Sequence, residues 1–200
     1  MSNPPPDLNR LREAIGSGDP SRALPALAGL REVPLDEAVP LLLLGLEQEE
    51  FMVRSLSCAG LGVKQSAAGW EALVGALQLD ADANVRAEAA NSLVSHSLER
   101  AWPLVREAFA NDGQWLVRCS ILAALAEQPE IPLAWLLELA LMAIDDGDGT
   151  VRVGGAEILG RLVQQSGDPA LAQQARPALQ KLQADSDHRV VAAALNGLQG

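Results

Sequence analysis

Tyrosine is absent from this 200-residue sequence, and four tryptophans and two phenylalanines supply all of its aromatic surface. Cations are scarce as well. Fifteen Lys and Arg face 26 Asp and Glu, for a formal charge of −11. Phosphate binding needs a concentrated basic surface, so DNA and RNA are excluded as partners, and so is attachment to anionic lipid. Long apolar runs are missing. Val39–Leu46 is broken by Pro40 and Gly45, and Ala134–Ile144 carries Glu138. Both fall short of the ~20 residues that span a bilayer. The opening Met1–Asp7 has neither a basic nor an apolar region, so no secretory leader is expected. Its three prolines, Pro4 to Pro6, read as a flexible, extended lead-in over residues 1–6. Only two cysteines are present, Cys58 and Cys119. Both fall in apolar helical segments without a pairing pattern. That suits a reducing compartment, so a soluble, cytoplasmic protein with two small buried thiols is expected.

What the sequence does have is a rhythm. Hydrophobic residues make up 48% of it, far from a disordered composition. An acidic position, then Val-Arg, then an alanine-rich run ending in Leu recurs along the chain. The copies are Val53-Arg54 to Leu61, Val85-Arg86 to Leu93, Val117-Arg118 to Leu125 and Val151-Arg152 to Leu159. A last copy, Val190-Val191 to Leu198, has valine in the arginine slot. The steps from Val to Val are 32, 32, 34 and 39 residues. A second marker keeps the same time half a repeat earlier: Val39-Pro40, Trp70, Trp102-Pro103, Trp135 and Arg176-Pro177. A degenerate copy, Asp19 to Leu30, precedes the first clear one.

Each unit reads as two helices. Trp70, Leu73, Val74 and Leu77 are spaced for one apolar helical face. The proline beside the marker suits a first helical turn, where its missing N–H is harmless. Asp82, Asp148 and Asp187 stand three residues before the Val, as N-caps do. Alanines and glycines inside the second helix allow neighbouring helices to approach closely. No stretch shows the period-two alternation of a strand. The expected fold is all-α: a right-handed α-solenoid of about six helix pairs, forming one domain over residues 7–200. The repeat length fits either TPR-like or HEAT-like pairs.

Asp-x-x-Val-Arg-x-x-Ala-x-x-x-Leu preceded by Ala-Val-Pro-Leu-Leu resembles HEAT-type repeats. In particular it is similar to the HEAT-like repeats of phycobilisome lyases, over residues 19 to 198. Longer strings carry the likeness: Phe51-Met-Val-Arg54, Gly60-Leu-Gly-Val-Lys-Gln65, Asn84-Val-Arg-Ala-Glu-Ala-Ala-Asn-Ser92 and Asp187-His-Arg-Val-Val-Ala-Ala-Ala194. They look like a family of small cyanobacterial HEAT-repeat proteins, related to bilin lyase subunits and to the phycobilisome degradation protein. The resemblance implies a protein-interaction scaffold whose client is a phycobiliprotein or an assembly factor. It also implies two alternatives: a lyase-like or chromophore-detaching protein holding a linear tetrapyrrole, a transient phycobilin, and an adaptor for iron–sulfur cluster assembly. Lyases of this type often work as two chains, so a homo- or hetero-dimer is an open expectation.

The candidate ligand or partner surface follows. Arg54, Arg86, Arg118 and Arg152 form a ladder, one per repeat, and Asp80, Asp112, Asp146 and Asp185 each stand five residues before the repeat's Val. They read either as Asp–Arg pairs that fix the stacking of repeats or, on the resemblance, as bidentate clamps for bilin propionates. Trp70, Trp102 and Trp135 occupy one slot of successive first helices, as packing or as a stripe for a planar ligand or partner helix. Trp115, at the turn into a second helix, should be more exposed. Glu88 and Glu157 would suit pyrrole nitrogens or simply face solvent. No metal is expected: His96 and His188 lie in different repeats, and the His-Glu pairs of a di-iron hydroxylase are absent. Around Asp145–Gly149 the calcium-loop register places Ile144 and Gly155 at ligand positions, so a turn is expected there. No catalytic constellation is present, so the reading leans toward a non-enzyme.

Overall fold

The computed structural model describes residues 7–165 and 167–199; the lead-in read over residues 1–6 lies outside them. Among the described residues there are twelve α-helices and no strand. They pair as the repeat demands. α1 (Leu8–Ile15) precedes α2 (Pro20–Gly29), which ends in a 3-10 turn at Leu30–Glu32. α3 (Leu35–Leu46) precedes α4 (Phe51–Val63), and α5 (Ala67–Leu79) precedes α6 (Ala83–His96). α7 (Leu98–Asn111), α8 (Trp115–Ala126), α9 (Leu133–Ala143), α10 (Gly149–Gln165), α11 (Pro169–Leu182) and α12 (His188–Leu198) complete six pairs. The chain forms two compact units, one through Ala108 and one from Phe109 onward. No helix among the described residues is long and apolar enough to cross a membrane.

The helix starts are written in short polar side chains. Asp19, Asp82, Asp148 and Asp187 accept backbone N–H bonds from Ser21, Asn84, Thr150 and Arg189, at 2.7–2.9 Å. Asp7, Ser66 and Asp168 cap α1, α5 and α11 in the same way. Each such cap is worth about 1 kcal/mol. The prolines correct one expectation. Pro40, Pro103 and Pro177 lie inside α3, α7 and α11, beyond the first turn. The helices begin upstream, after Pro34 in α3 and after Asp168 in α11, so the marker sits in mid-helix. There each proline removes a backbone donor and presses its ring on the turn before it.

The recurring valines are the core. Val53, Val85, Val117, Val151 and Val190 are all buried, as are Leu61, Leu93, Leu125 and Leu159. In the first unit α4 packs between α2 and α6; in the second, α10 packs between α8 and α12. Small residues set how close these second helices come. A Cβ on Gly160 would stand 2.8 Å from the Gly197 Cα, so α10 and α12 touch through their backbones. A Cβ on Gly62 would stand 2.8 Å from the Ser92 Cβ. The buried Ser92 hydroxyl uses that proximity to donate to the Cys58 carbonyl at 2.9 Å, tying α6 to α4.

Candidate partner-binding surface

The arginines are held where the spacing suggested. Arg54 donates from Nε to Asp80 Oδ2 at 2.7 Å and from Nη2 to Oδ1 at 3.0 Å. Arg118 grips Asp146 at 2.6 and 2.9 Å, and Arg152 grips Asp185 at 2.8 and 2.9 Å. The remaining nitrogen, Nη1, donates to the carbonyls of the loop just before its own helix. Arg54 reaches Gln48 and Glu49, Arg118 reaches Asp112, and Arg152 reaches Asp146 and Gly147. Arg86 Nη1 donates to the carbonyls of Asp80 and Ala81, at 2.9 and 3.2 Å. One guanidinium thus ties a helix N-terminus to its own loop and to the next repeat. These ion pairs are 10–15% exposed. The fork that a ligand carboxylate would need at Arg54, Arg118 and Arg152 faces an aspartate of the following repeat.

The electrostatics agree with that geometry. Hydrogen bonds from Arg152 hold the Asp185 carboxyl below the usual carboxylate range. At Asp80 burial pulls upward, but Arg54 and the Asp82 N–H outweigh it and the net shift is downward. Glu88 is half-buried rather than solvated. Burial pushes its carboxyl up, against hydrogen bonding with Ser92 and Asn91. Glu157 is exposed. Burial pushes the Cys58 thiol up to about 12; Cys119 is only half-buried, a departure from the expected burial, and its thiol is also raised by desolvation.

The tryptophans differ among themselves. Trp70 is 5% exposed. His96 meets its ring edge-on, with centroids 5.2 Å apart, and the Arg100 guanidinium lies 3.9 Å above it. Its face is covered by the protein's own cation. Trp102 and Trp135 are half-buried, and Trp115 is 45% exposed as expected.

Sequence reasoning missed a groove in the first unit. It has a volume of about 370 Å3 and lies where α2 and its 3-10 turn meet α3 and α4. Leu27, Leu30 and Leu42 form its floor, and Leu56 and Val63 form one side. Val63 is 71% exposed. Gly60 and Ala59 keep the α4 wall low. Lys64 closes one end, its Nζ donating to the carbonyls of Arg31 at 2.8 Å and Val33 at 2.6 Å. The available signal was Ala59-Gly60 followed by an apolar residue at the very end of a helix.

Residues 39–126 match the family model of HEAT repeats. No curated protein matches the chain. Among solved structures, YibA of Escherichia coli aligns at a TM-score of 0.69 and 18% identity, over 96% of this chain and 70% of its own. A designed armadillo repeat protein in complex with the peptide (KR)4 aligns at 0.62 and 18% identity, over 96% of this chain and 98% of its own. The complex of CpcE and CpcF of phycocyanin lyase from Nostoc sp. PCC7120 aligns at 0.40 and 21% identity, over 95% of this chain and 96% of that one. For the first two, likeness at such identities is likeness of fold. The matched residues run from mid-α3 to the end of α8, so α4, the helix that walls the groove, lies within the match.

Proposed function

We propose that this HEAT-repeat chain is a scaffold that holds a segment of a partner protein, with no chemistry of its own. The observation that carries the reading is the apolar groove beside α4, with Val63 standing exposed on its side. Scattered apolar residues are ordinary on a surface; a concave apolar groove lined from three helices and a turn is a place for an anchoring side chain. The occupant that fits is an extended segment with one bulky apolar residue; Arg31 and Lys64 stand at the groove itself, so any basic flanks answer the charge of −11 carried by the chain as a whole.

The test is a selection of peptides from a random displayed library on the purified protein. Selected peptides should carry a bulky apolar residue, and Val63→Asp or Ala59→Glu should weaken them at least tenfold without shifting the thermal melt. Binders indifferent to both substitutions sink the reading.

The narrower readings name the client. The sequence resemblance favours a phycobiliprotein or an assembly factor, iron–sulfur assembly included. Sedimentation of the chain with purified phycocyanin tests the first, and co-migration that Val63→Asp abolishes is the expected outcome. The tetrapyrrole reading rests on the same resemblance and on Glu88, a half-buried carboxyl two residues past Arg86 in α6. A red-shifted, sharpened phycocyanobilin band that Glu88→Ala removes supports it; an unchanged spectrum rejects it.

A further inference from the structure

Arg54, Arg86, Arg118 and Arg152 each occupy the fourth position of their helix, α4, α6, α8 and α10. Each donates to carbonyls six or five residues upstream. Within the two units, Arg54, Arg118 and Arg152 also grip an aspartate of the next repeat. In α2 the fourth position is Ala23. The carbonyls six and five residues upstream belong to Ser17 and Gly18, and among the described residues neither accepts a hydrogen bond. The position that would carry the next repeat's aspartate, five residues before Val53, is Gln48. Donor and carboxylate are therefore missing from the same rung.

A pocket of about 350 Å3 stands there, and Ser17, Gly18, Ala23 and Gln48 all line it. The loop otherwise keeps the family habit. Ser17 Oγ accepts the Asp19 N–H at 3.2 Å, the role that Asp80, Asp146 and Asp185 play for Asp82, Asp148 and Asp187. Gly18 turns at φ 72°, a conformation that leaves bare backbone at the pocket wall. Gln48 Nε2 is turned back to the Leu44 carbonyl at 2.9 Å, which leaves its Oε1 as an acceptor. Glu47, Glu49 and Glu50 stand around the mouth, all exposed. Arg54 holds the 48–49 backbone, and its charge is matched by Asp80.

We propose that this pocket receives an arginine side chain of the partner segment, seated where the other rungs carry an arginine of their own. The inference rests on the scaffold reading of the first unit and names one residue of the partner. A planar guanidinium carries donors enough for the two loop carbonyls and the Gln48 oxygen at once, and the charge of three glutamates favours it. A lysine ammonium is a point charge without that fork, so it gains the field and forfeits the geometry. The cluster of acids alone would attract any cation; what selects arginine is the register shared with four rungs that hold one.

The test uses fluorescence anisotropy with a labelled octapeptide of alternating lysine and arginine, an all-lysine octapeptide, and the first peptide with citrulline for arginine. The wild type should prefer the arginine peptide at least tenfold over both others. Gln48→Asp, which restores the carboxylate of the other rungs, should tighten it about tenfold further. Ala23→Arg with Gln48→Asp fills the rung from within; it should abolish the preference and raise the melting temperature. A wild type blind to arginine, or a filled rung that still prefers it, overturns the proposal. Val63→Asp should leave the arginine preference in place, so the failure of this pocket and the failure of the groove are read separately.

Discussion

Arg118 and Asp146, 28 residues apart in sequence, meet through two parallel N–H···O bonds of 2.6 and 2.9 Å while Arg118 Nη1 holds the carbonyl of Asp112. The pair is 14% and 10% exposed. Removing one partner strands the other in a partly desolvated place. Arg118→Ala should therefore destabilise the second unit by about 2–3 kcal/mol, between the values for surface and buried pairs. Asp146→Ala should lose a similar amount. The double variant should lose less than the sum of the two, read from urea unfolding of all four proteins. Additive losses would show that the two side chains are not coupled.

Stability should fall in acid, and the window follows from the carboxyls. Asp19, Asp80, Asp148 and Asp185 all sit below the ordinary carboxylate value, and Asp187, bonded by Arg189, is lowered to about 2. A depressed folded value gives stability that is present above the unfolded pKa of about 3.9 and is lost as pH falls through the folded one. The melting temperature should hold near neutrality and drop between about pH 4 and pH 2. Arg152→Gln should flatten part of that drop; an identical acid profile in the variant would contradict the assignment to Asp185.

Glu88 has the opposite sign. Its folded value is raised by burial, so the folded state holds the proton more tightly and loses stability as pH rises through that value. Glu88→Gln should raise the melting temperature at pH 7 and leave it nearly unchanged at pH 4. A lower melting temperature at pH 7 would show that the Ser92 and Asn91 hydrogen bonds need the charge.

Two glycines should respond in opposite directions. Gly75 lies inside α5 with nothing within 4 Å of an added Cβ, and Gly75→Ala should stabilise by up to about 1 kcal/mol. Gly160→Ala drives a methyl into the Gly197 backbone and should destabilise by about 1–3 kcal/mol. Thermal melts of the two variants settle the order.

Thiol chemistry should be sequential. Cys58 is buried with its thiol near 12, and Cys119 is half-buried. A thiolate-directed reagent should label Cys119 in the folded protein and Cys58 only on unfolding. Equal labelling rates would contradict the burial of α4.

The repeats, the two-helix unit and the Asp–Arg pairing at Arg54, Arg118 and Arg152 were legible, because each is a spacing: Val-Arg at the helix start and an aspartate five residues before the Val. The helix starts were less so. Trp70 and Arg176-Pro177 are conspicuous markers, but the signals that begin α5 and α11 are the quieter Ser66 and Asp168. Glu88 read as a solvated residue because its chemistry is polar; it holds the slot of Leu56, and slot decides burial in a stack. The groove and the arginine pocket were illegible for a common reason. Both are made by what small or neutral residues fail to fill: Ala59 and Gly60 in one, Ala23 and Gln48 in the other. A lone alanine carries no signal until the positions equivalent to it are superposed.

The rungs within each unit all run one way: the arginine belongs to the earlier repeat and the carboxylate to the later one. The linkage is therefore directional, like a row of hooks and eyes. Any module that brings its own hook and its own eye can be inserted between two others without mending either seam. An ancestor with fewer modules could have lengthened by duplication alone, each added module arriving already mated at both ends.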